Sequence, residues 1–123
     1  MTEVIFGYWK FRGLGQYLRL LLAYTGTPFK EVQYDSEERW FKEDKINLGL
    51  DFPNLPYIID GDFKLTESAA IAKYIINRSG RVELLGKNTR DQGKVNCIIG
   101  VFNDALKDIR GLFMDKDHEV HKI

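Results

Sequence analysis

The chain has 123 residues, of which 44% are hydrophobic and 29% are charged; this balance is typical of a folded protein and too apolar for a disordered one. Its 18 basic and 18 acidic residues give a formal net charge of +0, and because no basic block stands out we expect no nucleic-acid partner. Glu3 stands where a signal peptide would be basic, and no apolar run approaches the roughly 20 residues of a membrane span. We therefore expect a cytoplasmic protein that makes no contact with a membrane.

The cysteine and histidine usage predicts neither a disulfide nor a metal site. Cys97 is the only cysteine, and because it lies within the apolar helical pattern of residues 95–102 we predict a buried structural thiol. His118 and His121 are three positions apart in a charged tail, which is a weak pattern for a metal site. We expect no metal and no resident cofactor.

The opening of the chain predicts a strand, a helix and a second strand. Val4-Ile5-Phe6 is a β-branched and aromatic run that ends at Gly7, and a second extended run follows at Phe29–Tyr34. Between these runs, leucines recur at helical spacing at Leu14, Leu18, Leu21 and Leu22. Gly26-Thr27-Pro28 stops the helix, so the chain begins with a β-α-β unit.

The middle of the chain predicts an irregular segment, a hairpin and another helix. Residues 35–50 are mostly charged, which favours a short irregular helix with loops. Asp60-Gly61 between two apolar runs is a strong signal for a tight turn between antiparallel strands. Ser68 and the apolar residues that follow it at helical spacing predict a helix that ends near Gly80.

This order of elements predicts an α/β fold, a thioredoxin-like four-stranded mixed sheet with helices on both faces. We assign this domain to residues 1–82. Residues 83–123 are predicted to hold a linker and the first long helix of an all-α second domain, with Thr89 and Gln92 as its capping box. The apolar stripe of this helix is too wide for one sheet domain to cover, so either a partner covers it or the chain is incomplete.

Two features of the sequence suit the binding of an extended, anionic peptide. Pro56 directly precedes a predicted strand, which is consistent with a cis Leu55–Pro56 bond that turns the preceding backbone toward a ligand, or with an ordinary trans proline. Ser68 at a helix start offers a hydroxyl and free backbone amides to a carboxylate, or it simply caps the helix.

Three further side chains could act on such a ligand. Tyr8 ends the first strand, and since a phenol titrates near ~10 and a thiol near ~8.5, a tyrosine hydroxyl that donates to a bound sulfur would favour the thiolate. The alternative for Tyr8 is an aromatic that only packs. Trp40 and Lys45 offer an indole donor and a cation, or they belong to a surface helix with one anchored indole.

A resemblance to a known family joins these separate signals. The segments that carry it are Gly7-Tyr8-Trp9, Arg12-Gly13-Leu14, Arg19-Leu20-Leu21-Leu22, residues 48–57 with the sequence LGLDFPNLPY, Lys64-Leu65-Thr66 and Tyr74-Ile75. Together they closely resemble mu-class glutathione transferases over nearly all of residues 4–79. The Gly-Tyr-Trp opening is typical of the mu class.

The resemblance implies a detoxifying transferase that joins the thiolate of glutathione, its co-substrate, to a small soluble electrophile. It makes Tyr8 the catalytic hydroxyl that stabilises the thiolate. The binding residues that it implies are Trp9, Leu14, Trp40, Lys45, Asn54, Leu55, Pro56, Glu67, Ser68 and Asp104. Within this set, Trp9, Trp40 and Lys45 would lie near the glycine end of glutathione. Leu55 would pair with the cysteinyl backbone, and Glu67 with the γ-glutamyl ammonium.

The chain also departs from the usual mu pattern. Glu67-Ser68 stands where the family usually has Gln-Ser, and the spacing from Trp40 to Leu48 is one residue longer than usual. The second domain stops after its first helix, so most of the electrophile pocket is absent and the chain resembles a truncated transferase.

The resemblance also implies a homodimer, formed through Phe52 and the long helix. Phe52 matches an aromatic that plugs a pocket of the partner subunit, and Asp104, with Asp108 as the fallback, matches an acid that the partner lends. The alternative function is a catalytically inactive glutathione-binding or protein-interaction module, and a third reading is a truncated gene product.

Overall fold

The computed structural model describes the backbone of residues 2–114 and the side chains of residues 2–109 and 111. The chain divides into two compact units, Met1–Leu84 and Leu85–Ile123. The elements of the first unit are β1 (Val4–Trp9), a 3-10 turn (Gly13–Gly15), α1 (Gln16–Tyr24), β2 (Phe29–Tyr34), a π-helix (Arg39–Asp44), α2 (Lys45–Asn47), β3 (Tyr57–Asp60), β4 (Phe63–Thr66) and α3 (Ser68–Ser79). A second 3-10 turn (Val82–Leu85) and α4 (Thr89–Met114) follow.

The four strands form one mixed sheet in the order β2-β1-β3-β4. β1 is parallel to β2, while β3 is antiparallel to both β1 and β4. A crossover helix, α1, joins the two parallel strands, as parallel pairing requires. The predicted thioredoxin-like arrangement is therefore confirmed, and so is the two-residue turn between Asp60 and Phe63.

Helices cover both faces of the sheet. Successive side chains of β1 point to opposite faces, so each face has its own set of packing contacts. On one face lie Phe6 and Tyr8, over which the guanidinium of Arg19 from α1 is placed; α1 also packs against α3. On the other face Gly7 pairs with Tyr57 in register, and the Tyr57 ring stacks on Trp40 of the π-helix. The fully buried side chains of the first unit include Val4, Phe6, Tyr8, Leu18, Leu22, Tyr34, Ile58, Ile71 and Ile75.

A polar cluster ties the β3–β4 hairpin to α3. The Asp60 carboxylate accepts hydrogen bonds from the Tyr74 hydroxyl at 2.5 Å and from Arg78 Nε at 2.7 Å. Arg78 also donates to the carbonyl of Thr2 at 2.7 Å, which fixes the start of the chain. The hydrogen bond from Tyr74, followed by that from Arg78, lowers the pKa of Asp60 below its ordinary value.

The start of α4 differs from the predicted capping box. Asn88 Oδ1 accepts a hydrogen bond from the Asp91 amide at 2.9 Å, and Asn88 Nδ2 donates to the Asp91 carboxylate at 3.3 Å. The pair that caps the N-terminus of α4 is therefore Asn88 with Asp91, each one position before the predicted Thr89 and Gln92. An asparagine at the N-cap is as effective as a serine, which is why the spacing alone misplaced the boundary.

The prediction of a buried thiol at Cys97 is wrong, because Cys97 is exposed. The less exposed positions of α4 recur at a helical interval, at Asp91, Val95, Ile99 and Asn103. A residue two positions from Val95 points to the opposite side of a helix, and this is the position of Cys97.

No helix within residues 2–114 combines the length and the apolar character that crossing a bilayer requires. In the same part of the chain, no group of three or more His, Cys, Asp or Glu side chains is arranged to hold a metal ion. His118 and His121 lie outside the described residues.

Candidate functional site

The strand register brings the predicted site segments of the first unit to one edge of the sheet. Trp9, the last residue of β1, is the register partner of Tyr34, the last residue of β2. Tyr57, the first residue of β3, is opposite both Gly7 of β1 and Thr66 of β4. The segments after β1, before β3 and after β4 therefore lie at the same edge of the sheet. The ends of neighbouring strands are a common place for a ligand site.

Tyr8 is fully buried at this edge, and its hydroxyl is held by the main chain. The hydroxyl oxygen accepts a hydrogen bond from the Leu14 amide at 2.9 Å. This contact requires the chain to approach the ring closely, and a Cβ on Gly15 would lie 2.5 Å from the ring. The Gly13–Gly15 turn therefore fixes both the ring and the oxygen of Tyr8, and Phe11 packs against the same ring.

Arg19 of α1 organises the loop that follows Tyr8. Its guanidinium lies 5.6 Å from the centroid of the Tyr8 ring, and it donates to the carbonyls of Trp9 at 3.1 Å and Phe11 at 2.8 Å. Its Nε pairs with the Glu31 carboxylate of β2 at 3.0 Å. Sequence reasoning did not assign a role to Arg19, because these contacts depend on tertiary packing and no motif signals them.

The Leu55–Pro56 peptide bond is cis, which confirms that prediction. Leu55 and Pro56 are buried and Asn54 is exposed. The Leu55 amide donates to the side-chain oxygen of Asn54 at 2.9 Å. A ligand backbone that pairs with this amide would therefore replace Asn54 as its partner, and a contribution of Asn54 through its own side chain stays a prediction.

Glu67 marks the start of α3 in a way that the sequence did not indicate. It occupies the N-cap position with φ +73, and it is the one described residue other than glycine with a positive φ. For a residue that carries a side chain, this backbone conformation raises the free energy of the folded state by about 1–3 kcal/mol, and it is enriched at binding sites. No side chain caps α3, so Ser68 is the first helical residue and the capping interpretation of Ser68 is wrong.

The arrangement at Glu67 and Ser68 can recognise a zwitterionic group. The exposed Glu67 carboxylate suits an ammonium, and the first amides of a twelve-residue helix present the positive end of its dipole to a carboxylate. A cavity of about 210 Å³ adjoins this point, lined on one side by Leu50, Asp51 and Phe52 and on the other by residues 64–67 and Ala70.

Trp40 is almost completely buried, with only 1% of its surface exposed. Its ring stacks on Tyr57 with centroids 6.0 Å apart and meets Tyr34 edge-on at 5.4 Å. Lys45, by contrast, is partly exposed, and its Nζ lies 5.1 Å from the Phe41 ring. Phe41 in turn contacts Trp9, so Trp9, Phe41 and Lys45 form one partly exposed surface.

Below this surface lies a hydrogen-bonded group that sequence reasoning also missed. The Tyr34 hydroxyl contacts the Asp44 carboxylate and lies 2.8 Å from the Tyr57 hydroxyl. Burial, together with hydrogen bonding to Asp44 in the case of Tyr34, raises the pKa of both tyrosines above the ordinary value. Both phenols are therefore neutral at physiological pH.

The residues predicted to take part in a dimer lie on α4 and on the loop before β3. Asp104 and its fallback Asp108 lie on α4, in the second unit, and both are exposed. Phe52 of the first unit is 78% exposed. The loop that carries Phe52 is anchored, since the Thr66 hydroxyl donates to the Phe52 carbonyl at 2.8 Å and Lys64 Nζ donates to the Leu48 carbonyl at 2.7 Å.

Comparison with known proteins agrees with this geometry. The family model described as "Glutathione S-transferase, N-terminal domain" matches residues 5–77, which include all of the sheet except Val4, the first residue of β1. The chain belongs to the glutathione S-transferase family. A class-mu 26 kDa isozyme 51 of Fasciola hepatica is 47% identical to it over 117 residues.

Other relatives of this glutathione S-transferase chain are also of the mu class. The class-mu 26 kDa isozyme of Schistosoma mansoni is 40% identical over 120 residues, and human glutathione S-transferase Mu 2 is 38% identical over 120 residues. Each match covers more than 90% of the chain but only 52–53% of the relative. The chain thus spans about half the length of the curated relatives that it matches.

The fold of the chain is also similar to that of a solved glutathione S-transferase structure. The crystal structure of the glutathione S-transferase Blo t 8 superposes on this chain with a TM-score of 0.79 at 30% sequence identity, covering 98% of this chain and 55% of the other. The likeness therefore extends through the sheet domain and into α4.

Proposed function

We propose that this chain is the glutathione-binding part of a mu-type glutathione transferase, which attacks small soluble electrophiles with the thiolate of glutathione. The reaction forms a carbon–sulfur bond and, with an aryl chloride, releases chloride with the electron pair of the broken bond, while the thiol proton goes to solvent. It needs glutathione as co-substrate and no resident metal or cofactor. Detoxification in the cytoplasm is the matching cellular role.

The observation that carries the proposal is the environment of Tyr8. Its oxygen accepts a hydrogen bond from the Leu14 amide at 2.9 Å, and an amide that donates to a phenol oxygen makes its O–H a stronger donor. A hydroxyl that donates to sulfur stabilises the thiolate relative to the thiol. Tyr8 lies at the edge of the sheet where the segments before β3 and after β4 also arrive.

The remaining groups at this edge match the polar ends of glutathione. The Glu67 carboxylate would pair with the γ-glutamyl ammonium, while Ser68 and the first amides of α3 would hold the γ-glutamyl carboxylate. Leu55 would pair with the cysteinyl backbone as an added strand does. At the other end, Lys45, supported by Trp9 and Trp40, would hold the glycyl carboxylate.

We further propose that the functional form is a homodimer. The exposed ring of Phe52 would insert into the partner subunit, and the exposed Asp104 of α4 would approach the γ-glutamyl ammonium of the partner's ligand. A homodimer would also cover exposed apolar side chains of α4 such as Ile98 and Phe102.

The test compares the parent chain with Tyr8→Phe. We expect saturable binding of glutathione by titration calorimetry in both proteins, and turnover of an activated aryl chloride that is about 100-fold lower in Tyr8→Phe, because one hydrogen-bond donor to the developing charge is lost. Tyr24→Phe is the matched control, since Tyr24 is exposed and is the last residue of α1, whereas Tyr8 contacts the turn that precedes the first residue of α1. It should keep the turnover of the parent.

Two results would overturn the proposal. A folded parent chain that binds no glutathione at millimolar concentration would rule out the glutathione site. Equal turnover by Tyr8→Phe and the parent would remove Tyr8 from the chemistry.

A second candidate function is a glutathione-binding module that is catalytically inactive and assembles with another protein. It is favoured by the exposed apolar side chains of α4, which include Ile98, Val101, Phe102 and Ile109. Glutathione binding without turnover, together with a monomer in sedimentation experiments that aggregates as its concentration rises, would support this module instead of the transferase.

A further inference from the structure

The π-helix is joined to the sheet by a directional chain of hydrogen bonds. An ionised carboxylate only accepts hydrogen bonds, and a neutral phenol has a single donor. The Tyr34 hydroxyl therefore donates to Asp44, which leaves the Tyr34 oxygen to accept from the Tyr57 hydroxyl at 2.8 Å. The order Tyr57 to Tyr34 to Asp44 is thus determined by the charge at its end.

Each member of this chain belongs to a different element. Tyr57 begins β3 and Tyr34 ends β2, while Asp44 is the last residue of the π-helix and directly precedes Lys45. Tyr34 and Tyr57 are almost completely buried, so water does not replace these hydrogen bonds at low cost. Asp44 therefore attaches the end of the π-helix to the sheet through a hydrogen bond, in addition to the aromatic contacts that Trp40 and Phe41 make with it.

The attachment needs a specific side chain because π-helical turns are rare and weakly self-stabilised. The π-helix carries Trp40 and Phe41, and it ends next to Lys45. A shift of Asp44 away from Tyr34 would move Lys45 with it, since the two residues are adjacent. The further contacts of this helix with the sheet are made by aromatic rings, such as Trp40 with Tyr57 and Phe41 with Trp9.

We propose that Asp44 is a positioning residue, which through Tyr34 and Tyr57 sets the place of Lys45 and Trp40 at the end of the site that receives a glycyl carboxylate. The inference rests on the proposed function, because it assumes that glutathione binds at this edge. It adds that recognition of the glycine end depends on a buried side-chain chain of hydrogen bonds that does not itself touch the ligand.

The test measures the binding of two ligands by titration calorimetry. Glutathione carries the glycyl carboxylate, and γ-glutamylcysteine lacks the whole glycine residue but keeps the rest. In the parent chain we expect tighter binding of glutathione. In Asp44→Ala and in Tyr34→Phe we expect the affinity for glutathione to fall about tenfold, the effect of losing one hydrogen bond to a charged group. The affinity for γ-glutamylcysteine should not change.

Two further variants separate positioning from general damage. Asp44→Asn keeps an acceptor oxygen for Tyr34 and should restore most of the preference for glutathione. Glu43→Ala removes the neighbouring exposed carboxylate of the same π-helix and should bind both ligands as the parent does. Circular dichroism shows whether each variant is folded, and Tyr34→Phe tests the same chain of hydrogen bonds if Asp44→Ala is not.

The outcomes distinguish this inference from the proposed function. If the parent binds neither ligand, both are wrong. If the parent binds both ligands equally, glutathione binding stands and the positioning role of Asp44 is wrong. The role is also wrong if Asp44→Ala and Tyr34→Phe lose affinity for both ligands by the same factor, because that result describes a loss of structure without selectivity for the glycine end.

Discussion

The two faces of the sheet reach the candidate site by different physical means. On the α1 face, Tyr8 is held by a backbone amide from Leu14 and by the guanidinium of Arg19, which also pairs with Glu31. On the π-helix face, Trp40 and Lys45 depend on a chain of two neutral tyrosines that ends at Asp44. An ion pair and main-chain groups therefore secure one face, while aromatic packing and two tyrosine hydroxyls that lead to a carboxylate secure the other.

This difference separates the chemistry of the site from its ligand recognition. A residue that stabilises a developing charge must not move, which is the role proposed for Tyr8. The Arg19 contacts fix both the Tyr8 ring and the loop beside it. Recognition of a ligand end tolerates more change. The π-helix face, which carries the proposed glycine end, is therefore the part in which specificity can vary without loss of the proposed thiolate site at Tyr8.

The largest expected effect follows from removing the charge on the α1 face. Arg19→Met would leave Glu31, whose side chain is only 18% exposed, without its cationic partner, and would remove one donor from each of the carbonyls of Trp9 and Phe11. We expect the free energy of unfolding in urea to fall by about 3–5 kcal/mol, the usual cost of breaking a largely buried ion pair.

The control for Arg19→Met is an exposed ion pair of the same chain. Lys42 and Glu38 are 3.5 Å apart with side chains 74% and 75% exposed, and Lys42→Met should change the unfolding free energy by no more than about 0.5 kcal/mol. Similar effects of Arg19→Met and Lys42→Met would contradict the role assigned to the Arg19 contacts.

An intermediate effect is expected from crowding the π-helix face. A Cβ on Gly7 would lie 2.2 Å from the Tyr57 ring, and that ring cannot withdraw without leaving Trp40 and Tyr34. Gly7→Ala should therefore destabilise the fold by about 2–3 kcal/mol, as overpacking of a core does, and tryptophan fluorescence should report the change in Trp40.

Gly93→Ala provides the opposite result for comparison. Gly93 lies within α4 with no atom near the position of an added Cβ. The alanine should stabilise the protein by about 0.5–1 kcal/mol through helix propensity. If Gly7→Ala were as well tolerated as Gly93→Ala, the Tyr57 ring could not be packed against β1 as described.

The smallest expected effect is a loss of unfolding free energy at alkaline pH, which arises from Tyr34 on the π-helix face. Because the folded-state pKa of Tyr34 is raised, the folded chain keeps a proton that the unfolded chain loses above about pH 10. The stability that Tyr34 contributes is fully present below this pH and falls by up to about 1.4 kcal/mol per pH unit above it. Tyr34→Phe should flatten that fall, as measured by urea unfolding between pH 9 and pH 11.

The matched control for the alkaline experiment is Tyr24→Phe, because Tyr24 is 63% exposed. It should show the same pH dependence as the parent. Equal slopes for Tyr34→Phe and the parent would contradict the raised pKa of Tyr34.

Local patterns made much of the fold predictable. The β-branched run of β1, the leucine spacing of α1 and the Asp60-Gly61 turn each indicate their element from residues that are neighbours in sequence. Helix starts were harder to predict, because several residues near a start can serve as the cap. Asn88 took that role for α4, and Glu67 with its positive φ took it for α3.

Within the candidate site, the cis Leu55–Pro56 bond was predictable, because the proline before a strand and the family resemblance agree there; the ligand roles of Tyr8, Leu55 and Ser68 stay predictions. The supporting groups of the site were not predictable. Arg19 meets Glu31 across 12 positions, and Tyr34 meets Tyr57 across 23. No periodicity records such pairs, because strand register and helix packing bring them together.

The sequence by itself determined the order of strands and helices, the family and the set of side chains available for chemistry, because these depend on residue type and local spacing. Only the tertiary structure decided which of these side chains share an edge of the sheet. It also decided that Trp40 is buried, that Cys97 is exposed and that Asp44 meets the Tyr34 hydroxyl. Burial and long-range hydrogen bonds are properties of packed elements, so they arise only when the sheet and its helices have assembled.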